Sequence, residues 1–528
     1  MSARAPGAPE PPEGPAPRQR PDARRAAAWT FALVSAGGVV MTLDVTVVNV
    51  ALAAIARDLG AGLHQVQWTV SAYSLAFGAL LLTAGALSDR VGRRSVFVAG
   101  ITLFTLASAL CGLAPDAGTL VAARVAQGLG GAMVFAPALA LIAAVYEGAE
   151  RQRAIATYAA IASAAGALGP VVGGVLVEWV GWRWIFLVNI PIGVGVVLGA
   201  MSRMPALTPQ DTSRRLDVLG ALLAVGMLLS LHYPLVRGAD VGWGSPQVLV
   251  PALAGFVLLA ALVASQRRPG GMLDLELLRI PALSGAAVLG FLARMSGLGV
   301  LVFTTLWLQR TADGSPLRVG LQLLPLTGSL LVVGLCMTWL QARVSAAVLV
   351  AGGFVFQGAG LGMLALATLS GASSWTGLGG LVLMGAGGAL IFPPLMGVAV
   401  GVVPSERAGM ASGLTNACYP LGTATGVAVF GAVFSSRLTA MLSQASLPRD
   451  VARHLRTTVE TGQFDAIVPT FLPLAHAAFG HAYFAVCVVA AAVCLGGAVL
   501  ALHVLSNLAS RAPRSARPDT SLSMKESP

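Results

Sequence analysis

Charged residues are scarce in this sequence. Only 10% of its 528 residues are Asp, Glu, Lys or Arg, whereas soluble globular domains contain about 25%. Hydrophobic residues make up 56% of the chain, and the mean hydropathy is +0.80. A chain of this length with so few charges cannot cover a water-soluble fold with polar groups. We therefore expect an all-α polytopic protein embedded in a lipid bilayer.

Lysine and cysteine are also rare. Lysine occurs once, as Lys525, so the Gly-Lys-Ser/Thr phosphate-binding loop of ATP-driven pumps is absent. The five cysteines lie inside apolar runs without a Cys-x-x-Cys pair, which predicts free packing residues. No Asp-rich metal motif and no catalytic triad candidate stands out. We expect no catalytic residues, no metal site, no cofactor and no enzymatic activity.

Arginine supplies almost all of the positive charge. The net charge is +11, and the arginines cluster at the ends of apolar runs and in the two terminal segments. Positively charged loops stay on the cytoplasmic side of a membrane, where they face anionic lipid. The arginines are thereby explained without a nucleic-acid partner. Their distribution over alternate loops predicts an even number of spans and two cytoplasmic termini.

Fourteen stretches have the roughly 20 apolar residues that a membrane-spanning helix needs. The segment 435–475 is predicted as a long external loop, in which Pro448–Thr461 forms an amphipathic helix near the interface. The predicted domains are a disordered cytoplasmic tail (1–27), an N-terminal six-helix bundle (28–201), two inserted helices with linkers (202–281), a C-terminal six-helix bundle (282–504) and a cytoplasmic tail (505–528).

An internal repeat relates the two predicted bundles. The string GLGGAMVFAP (128–137) in the fourth span recurs as GAGGALIFPP (385–394) in the twelfth, and LGPVVG (168–173) recurs as LGTATG (421–426). The offset of eight helices predicts two parallel six-helix repeats with two helices inserted between them. Tandem halves of this kind are typical of transporters, because rocking of one half against the other exposes a central site to each side in turn.

Asp44 is the only acidic residue in the middle of a predicted span. Burying its charge in the membrane costs several kcal/mol unless the carboxyl group is protonated or paired. We interpret Asp44 as a proton-carrying group; the alternative is a structural carboxylate satisfied by Asn49, Thr46 or an arginine of another helix. Arg294 lies near the middle of the ninth span. It either binds an anionic or carbonyl-bearing substrate or neutralises Asp44.

Three motifs resemble those of the major facilitator superfamily of secondary transporters. GALSDRVGRR (85–94) resembles its loop between helices 2 and 3. LVAARVAQG (120–128) resembles its fourth-helix motif, whose arginine, here Arg124, is implied to aid proton relay or to pair with the first-helix acid. GALGPVVGG (166–174) resembles its exporter-associated motif. The resemblance assigns gating to Gly85, Asp89, Arg90, Gly92 and Arg93, and close helix contact to Gly166, Gly169, Pro170, Gly173 and Gly174.

Four further strings resemble the fourteen-helix drug:proton antiporter branch of that superfamily. They are LDVTVVNVAL (43–52), WRWIFLVNIP (182–191), PLRVGLQLLP (316–325) and ASGLTN (411–416). The resemblance covers roughly residues 42–431. It implies that the Asp89 loop holds the cytoplasmic side closed while the glycines of the fifth span let the halves close against each other. The tryptophans of the second string, Trp182 and Trp184, are explained as anchors at the outer membrane interface.

Aromatic and amide side chains are the candidates for a substrate cavity, because they bind bulky ligands without strict geometry. Spans nine to fourteen contain no acidic residue. This disfavours multivalent cations and favours neutral, amphipathic or weakly acidic substrates. The predicted cavity residues are Asn49, Gln67, Trp68, Tyr73, Arg294, Trp307, Gln309, Asn416 and Tyr419.

These observations predict a monomeric antiporter of the cytoplasmic membrane that exports a hydrophobic drug-like or antibiotic-like molecule in exchange for protons. Two alternatives remain open at this point. One is an exporter or importer of a specific metabolite with the same fold. The exporter-type glycine string argues against an importer. The other is a membrane enzyme or sensor that transports nothing.

Overall fold

The computed structural model describes residues 21–206, 216–268, 274–311, 315–369, 374–404, 407–445 and 447–509. Within these residues the regular structure is helical throughout, with two short 3-10 turns and no strand. Fourteen of the described segments are long and apolar enough to cross a membrane. A helix satisfies its own backbone hydrogen bonds, which hydrocarbon requires. The predicted all-α architecture with fourteen spans is confirmed.

Three groups of helices follow one another along the chain. The first group is α1 (Pro21–Leu59), α2 (Leu63–Val91), α3 (Arg93–Gly112), α4 (Ala117–Val145), α5 (Gly148–Trp179), α6 (Trp184–Leu187) and α7 (Asn189–Arg203). The second is α8 (Val218–Val241), α9 (Pro246–Gln266) and the short α10 (Leu275–Leu278). The third is α11 (Pro281–Thr311), α12 (Pro316–Gln322), α13 (Leu324–Leu335), α14 (Met337–Gln341), α15 (Ala346–Leu369), α16 (Ser374–Gly401), α17 (Ala408–Ser443), α18 (Arg449–Glu460) and α19 (Leu472–Ala509).

Two spans are interrupted where proline enters a helix. The sixth span breaks between α6 and α7, and Pro191 lies in the first turn of α7. The tenth span breaks at Leu323, and Pro325 lies in the first turn of α13. Proline has no backbone N–H and therefore breaks the hydrogen bonding inside a helix. In the first turn it loses nothing, because N–H groups there have no acceptor within the helix. Each pair of helices therefore forms one span with a bend.

The two bundles use equivalent glycine contacts. Gly130 of α4 lies against Gly100 and Phe104 of α3, and Gly387 of α16 lies in the same way against Gly353 of α15. A side chain at either glycine would meet backbone atoms within 3 Å, so glycine sets the close approach of both helix pairs. The repeated strings therefore form the same helix contact in each half.

The inserted helices lie outside the two bundles. α8 packs against α2 and α17, where Trp68 contacts His232 with ring centroids 4.8 Å apart. Arg237 of α8 lies 3.4 Å from His64. α9 packs on α8 and exposes large apolar side chains, including Leu253 and Phe256, over more than 60% of their surface. The pair thus covers one seam between the bundles and presents an apolar outer face, as a lipid-facing helix does.

Several helices extend beyond their predicted bounds. α1 begins at Pro21, so residues 21–27 of the predicted tail are helical. The three consecutive alanines 26–28 favour this, since alanine has the highest helix propensity. α17 ends at Ser443 and α19 begins at Leu472, which shortens the predicted loop of 435–475. The loop contains α18, close to the predicted amphipathic helix. The rest of the predicted tails (1–20 and 510–528) and the linker segments 207–215 and 269–273 lie outside the described residues.

The bundle has two ends, which we name after aspartates. The Asp89 end carries the α2–α3 turn; the Asp58 end carries the α1–α2 turn. At the Asp58 end, Asp58 accepts hydrogen bonds from Arg183 and from Nε1 of Trp182, the latter at 3.1 Å. Trp182 is buried while Trp184 is about half exposed. The prediction of an interfacial anchor is therefore wrong for Trp182, whose indole N–H finds a partner inside the protein.

Candidate functional site

A buried ion pair joins α1 to α4. Nη1 of Arg124 lies 2.5 Å from Oδ2 of Asp44, and both side chains are almost fully buried, with 2% and 0% of their surface exposed. Two opposite charges in this position cost far less than either charge alone, because each is neutralised at contact distance. Of the alternatives left open by the sequence for Asp44, pairing with an arginine of another helix is the one found.

Gln127 completes the network around the pair. Its Nε2 donates to Oδ1 of Asp44 at 2.9 Å and to Oγ of Ser108 at 2.7 Å, and its Oε1 accepts from Nη1 of Arg124 at 2.6 Å. Nε of Arg124 donates to the carbonyl oxygen of Thr69 at 3.0 Å. Both carboxylate oxygens of Asp44 thus accept from charged or amide donors, as an ionised carboxylate requires in an apolar medium.

Sequence reasoning missed most of this network. Gln127 stands three residues after Arg124, on the same face of α4, and that spacing was the available signal. Ser108 and the carbonyl of Thr69 gave no signal, since a serine and a backbone carbonyl occur at any helix position. The equivalent of Arg124 in the second bundle, at the offset set by Gly128 and Gly385, is Leu381, which is fully buried. At this position, therefore, the second bundle has no counterpart to the arginine of the network.

A cavity of about 420 Å³ lies between the bundles. This volume is in the range that holds a drug-sized ligand. Its wall consists of α1, α2, α4 and α5 from the first bundle and α11, α13 and α17 from the second, with mostly apolar side chains. Polar groups on the wall include Tyr73, Tyr158, Arg294, Asn416 and Tyr419.

Tyr73 separates the cavity from the ion pair. Its ring lies over the guanidinium of Arg124, with 4.5 Å between the centroid and Cζ, and its other surroundings include Phe77 at 6.0 Å between ring centroids. The ring of Phe186 lies 5.7 Å from the same Cζ. Tyr73 belongs to the cavity wall, whereas Asp44 and Arg124 do not. The charged network thus lies one aromatic ring away from the cavity.

Arg294 lies on the opposite side of the cavity, on α11. Its Cζ lies 4.4 Å from the ring centroid of Phe392 and 5.8 Å from that of Tyr419. Nε of Arg294 and the hydroxyl of Tyr419 are buried without a hydrogen-bond partner. Within the described residues Arg294 makes no ion pair, so the alternative that it neutralises Asp44 does not hold.

Some predicted cavity residues lie elsewhere. Asn49 donates to the carbonyl of Val45 at 3.0 Å within its own helix. Trp307 stacks on Tyr483 with centroids 5.9 Å apart, and Gln309 donates across the bundles to the carbonyl of Val50 at 3.2 Å. Gln67 and Trp68 also lie outside the wall, Gln67 in a small pocket at the Asp58 end and Trp68 against α8. Their residue types suit a cavity, but these side chains lie on helix faces that pack against other parts of the protein.

The gating string forms a tighter turn than predicted. Gly92 alone makes the reversal, with φ of +108°, a backbone conformation that side chains other than glycine rarely adopt. Gly85 lies inside α2 and is not a turn residue, which corrects the prediction for that position. Asp89 lies 3.6 Å from Arg93, one turn further on, and Nη2 of Arg94 donates to the carbonyl of Met201 at 2.6 Å. The turn thus links α2, α3 and α7.

The glycine string of α5 has two contact faces. Gly166 and Gly173 lie against Thr42 and Val47 of α1, as does Gly169 against Thr46. Gly174 faces the second bundle, where a side chain would meet the carbonyl oxygen of Pro316 at 2.6 Å. Close backbone contact on both faces needs residues without a side chain.

Gly320 of the second bundle makes the matching contact with α5. Its Cα lies against the backbone of Pro170 and Val171. Beside it, Glu178 accepts hydrogen bonds from the hydroxyl of Ser315 at 2.7 Å and from the N–H of Leu317 at 3.0 Å. These contacts join α5 to α12 at the Asp58 end, and the cavity lies on the Asp89 side of them.

One charged group outside the spans fixes a helix end. Asp116 caps α4 by accepting from the N–H and the hydroxyl of Thr119, each at 2.9 Å. These hydrogen bonds lower the pKa of Asp116 below its usual value, because they stabilise the carboxylate form. Among the described residues no three His, Cys, Asp or Glu side chains lie together as a metal site would need.

Comparison with known proteins agrees with this geometry. A family model described as Major Facilitator Superfamily matches residues 34–427. The chain is 37% identical over 418 residues to the multidrug resistance protein Stp of Mycobacterium tuberculosis, covering 78% of this chain and 77% of the relative. It is 33% identical over 465 residues to the tetracenomycin C resistance and export protein of Streptomyces glaucescens, covering 85% of each.

Solved structures share the fold. A bacterial homologue of the human lysosomal transporter Spinster superposes with a TM-score of 0.64 at 15% identity, over 93% of this chain and 98% of that one. The D-xylose–proton symporter superposes with a TM-score of 0.55 at 13% identity, over 88% and 96% of the two chains. With a family match over more than half of the residues, two bundles around a central cavity and relatives at this level of identity, the chain belongs to the Major Facilitator Superfamily.

Proposed function

We propose that this chain exports hydrophobic drug-like or antibiotic-like small molecules across the cytoplasmic membrane in exchange for protons. The observation that carries the proposal is the buried Asp44–Arg124 pair, one aromatic ring away from a cavity between two bundles. The names of the relatives support the export direction and the class of cargo. The glycine string of α5 supports it as well.

Asp44 is the proton carrier in this proposal. A proton taken up at Oδ2 cancels the carboxylate charge, so Arg124 loses its counterion while it keeps the Gln127 oxygen, the Thr69 carbonyl and two aromatic faces. The protonated and unprotonated networks therefore favour different packings of α1 against α4. Each proton that moves inward releases about 2.3 kcal/mol per 100 mV of membrane potential, which drives the export step.

The cavity serves as the substrate site under alternating access. Arginines concentrate in the loops of the Asp89 end, so we assign this end to the cytoplasm. The backbone contacts of Gly174 and Gly320 then close the external side while the cavity lies on the cytoplasmic side of them. This arrangement suits the loading of a cytoplasmic substrate. Separation of α5 from α12 would open the external side.

The experiment uses the purified protein in proteoliposomes. Asp44→Asn keeps the size of the side chain but cannot exchange a proton near neutral pH, and we expect it to abolish efflux driven by a pH gradient. Asp116→Asn is the matched control: it removes one carboxylate outside the membrane, and asparagine caps a helix equally well. Proton-driven efflux of Asp44→Asn at the rate of the control would refute the role of Asp44.

A metabolite importer of the same fold is the competing function. It predicts net uptake with the proton gradient, while the export proposal predicts net movement against the direction of proton flow. Proteoliposomes with the gradient imposed in each direction separate the two. Uptake into vesicles with protons moving the same way would contradict export.

A further inference from the structure

Arg294 is the one charged side chain on the cavity wall in the part of the chain that the structure describes. The other polar groups on the wall are hydroxyls and an amide, among them Tyr73, Tyr158, Asn416 and Tyr419. From residue 281 to residue 443 the only acidic residues are Asp313 and Glu406, both of which lie outside the described residues. The cavity therefore has a fixed positive charge on the side of the second bundle.

The two membrane arginines differ in how they are satisfied. Arg124 has a carboxylate, an amide oxygen and a carbonyl oxygen as acceptors. Arg294 contacts the faces of Phe392 and Tyr419, and its Nε has no acceptor. An arginine in the membrane without a counterion is costly, and such residues mark functional sites. The missing acceptor of Arg294 is then supplied by what enters the cavity.

The surroundings of Arg294 select the chemistry of that ligand. The ring of Phe392 covers one face of the guanidinium, with 4.4 Å between the ring centroid and Cζ of Arg294. The edge of the guanidinium, which carries the N–H donors, remains available. A planar guanidinium edge binds carboxylates through two parallel hydrogen bonds. The buried hydroxyl of Tyr419 has no partner, and Asn416 lies one turn before it on α17. A second donor and an amide thus lie close to the same position.

We propose that Arg294, Tyr419 and Asn416 form a subsite for the carboxylate or a similar oxyanion of an amphipathic organic anion. The apolar wall of α1, α2 and α5 accommodates the rest of the molecule. The inference rests on the proposed function, since it names the substrate class of the same cavity. It also places the ligand charge on the second bundle and the proton on the first.

The test measures equilibrium binding to the full-length protein in lipid nanodiscs, without any gradient. The probes are anthracene-9-carboxylate and anthracene-9-carboxamide, which share one fluorescent aromatic body and differ in charge. For the wild type we expect the carboxylate to bind at least about 10-fold tighter, the effect of a charge-assisted hydrogen bond. Arg294→Gln is expected to remove this preference. Arg294→Lys should retain part of it, because lysine keeps the charge but lacks the two parallel N–H donors of the guanidinium edge.

Two controls separate folding and net charge from the subsite. The carboxamide should bind to Arg294→Gln within about 3-fold of the wild type, a change of less than 1 kcal/mol, which shows an intact cavity. Arg279→Gln removes an exposed arginine just before α11 and should leave the preference unchanged. An unchanged carboxylate preference in Arg294→Gln, no preference in the wild type, or no binding of either probe to the wild type would each overturn the subsite.

Failure of the subsite and failure of the proposed function give different results. Asp44→Asn should still prefer the carboxylate probe, because Asp44 does not touch the cavity. If proton-driven efflux survives in Asp44→Asn while Arg294→Gln loses the carboxylate preference, the coupling proposal falls and the subsite stands. If Asp44→Asn loses proton-driven efflux while Arg294→Gln keeps the carboxylate preference, the proposed substrate class is wrong and the proposal of proton-driven export stands.

Discussion

The ring of Tyr73 covers the guanidinium of Arg124, 4.5 Å from Cζ, and its other surface faces the cavity. A cation over an aromatic face gains roughly 0.5–2 kcal/mol when the site is desolvated. Tyr73 therefore contacts both the cavity and the arginine that pairs with Asp44. Under the proposed function, it is the residue through which occupancy of the cavity would affect the charged pair.

Replacement of Tyr73 tests this position. Tyr73→Ala removes the ring, so water reaches Asp44 in the absence of substrate, and we expect proton leak across proteoliposomes to rise several-fold. Tyr73→Phe keeps the ring and should leak like the wild type. The measurement is the decay of an imposed pH gradient with a trapped pH dye. Equal leak in the Ala and Phe variants would show that the ring is not the barrier.

Gln127 should be needed for proton-driven efflux. Gln127→Met has a similar volume but loses the donor to Oδ1 of Asp44 and the acceptor for Nη1 of Arg124. A buried charged network that loses these hydrogen bonds no longer holds its members in one geometry, so we expect the initial rate of efflux driven by a pH gradient to fall at least about 10-fold, the effect of a lost hydrogen bond to a charged group. Asn189→Leu, next to Ser108 but without contact to Asp44, is the control. Efflux of Gln127→Met at the rate of the wild type would rule out this role.

Gly174 should be needed for closure of the Asp58 end. Gly174→Val places a side chain against Pro316 and Leu317 of the other bundle, and we expect efflux to fall at least about 10-fold while the protein remains folded, since overpacking costs 1–3 kcal/mol. Gly195→Val on α7 is the control, because open space surrounds that position. Initial efflux rates and thermal unfolding are compared. Wild-type efflux in Gly174→Val would show that close contact here is dispensable.

The membrane orientation is open to a direct test. Arginine-rich loops at the Asp89 end predict that both termini are cytoplasmic. A fluorescent protein fused after residue 528 should fluoresce, since it folds in the cytoplasm. Alkaline phosphatase fused after Thr461, in the loop that contains α18, should be active outside. Active phosphatase at residue 528 combined with an inactive fusion after Thr461 would invert the assignment of loading side and external side.

The spans and the charged pair were accessible from the sequence because each follows from a strong local cost. Hydrocarbon requires long apolar helices, and one carboxylate in a span has to be neutralised. Asp44 was therefore recognisable as a single residue, and Arg124 was recognisable from its resemblance to a fourth-helix motif. Their direct contact depends on how α1 packs against α4, which is a long-range property, and so two alternatives remained until the structure was known.

The cavity was less predictable. Trp307 and Gln309 have suitable side chains, but more than three turns of α11 separate them from Arg294, and they contact Tyr483 and the carbonyl of Val50 instead. Helix faces can be assigned from periodicity only when polar and apolar sides differ. In spans that are apolar all round, no visible pattern shows the wall of a central cavity, nor which glycine of the string 85–94 makes the turn between α2 and α3.

The absence of a counterpart to Arg124 in the second bundle, where Leu381 is buried instead, separates two kinds of evolutionary change. Under the proposed function, substitutions around Phe392 and Tyr419 would alter the cargo without changing a residue of the Asp44–Arg124 network. One ancestral half could thus keep that network while its duplicate diversified. A hybrid that joins residues 21–206 to the second bundle of a relative would keep the charged pair of one parent, while its cavity wall, which both bundles form, would combine residues of the two.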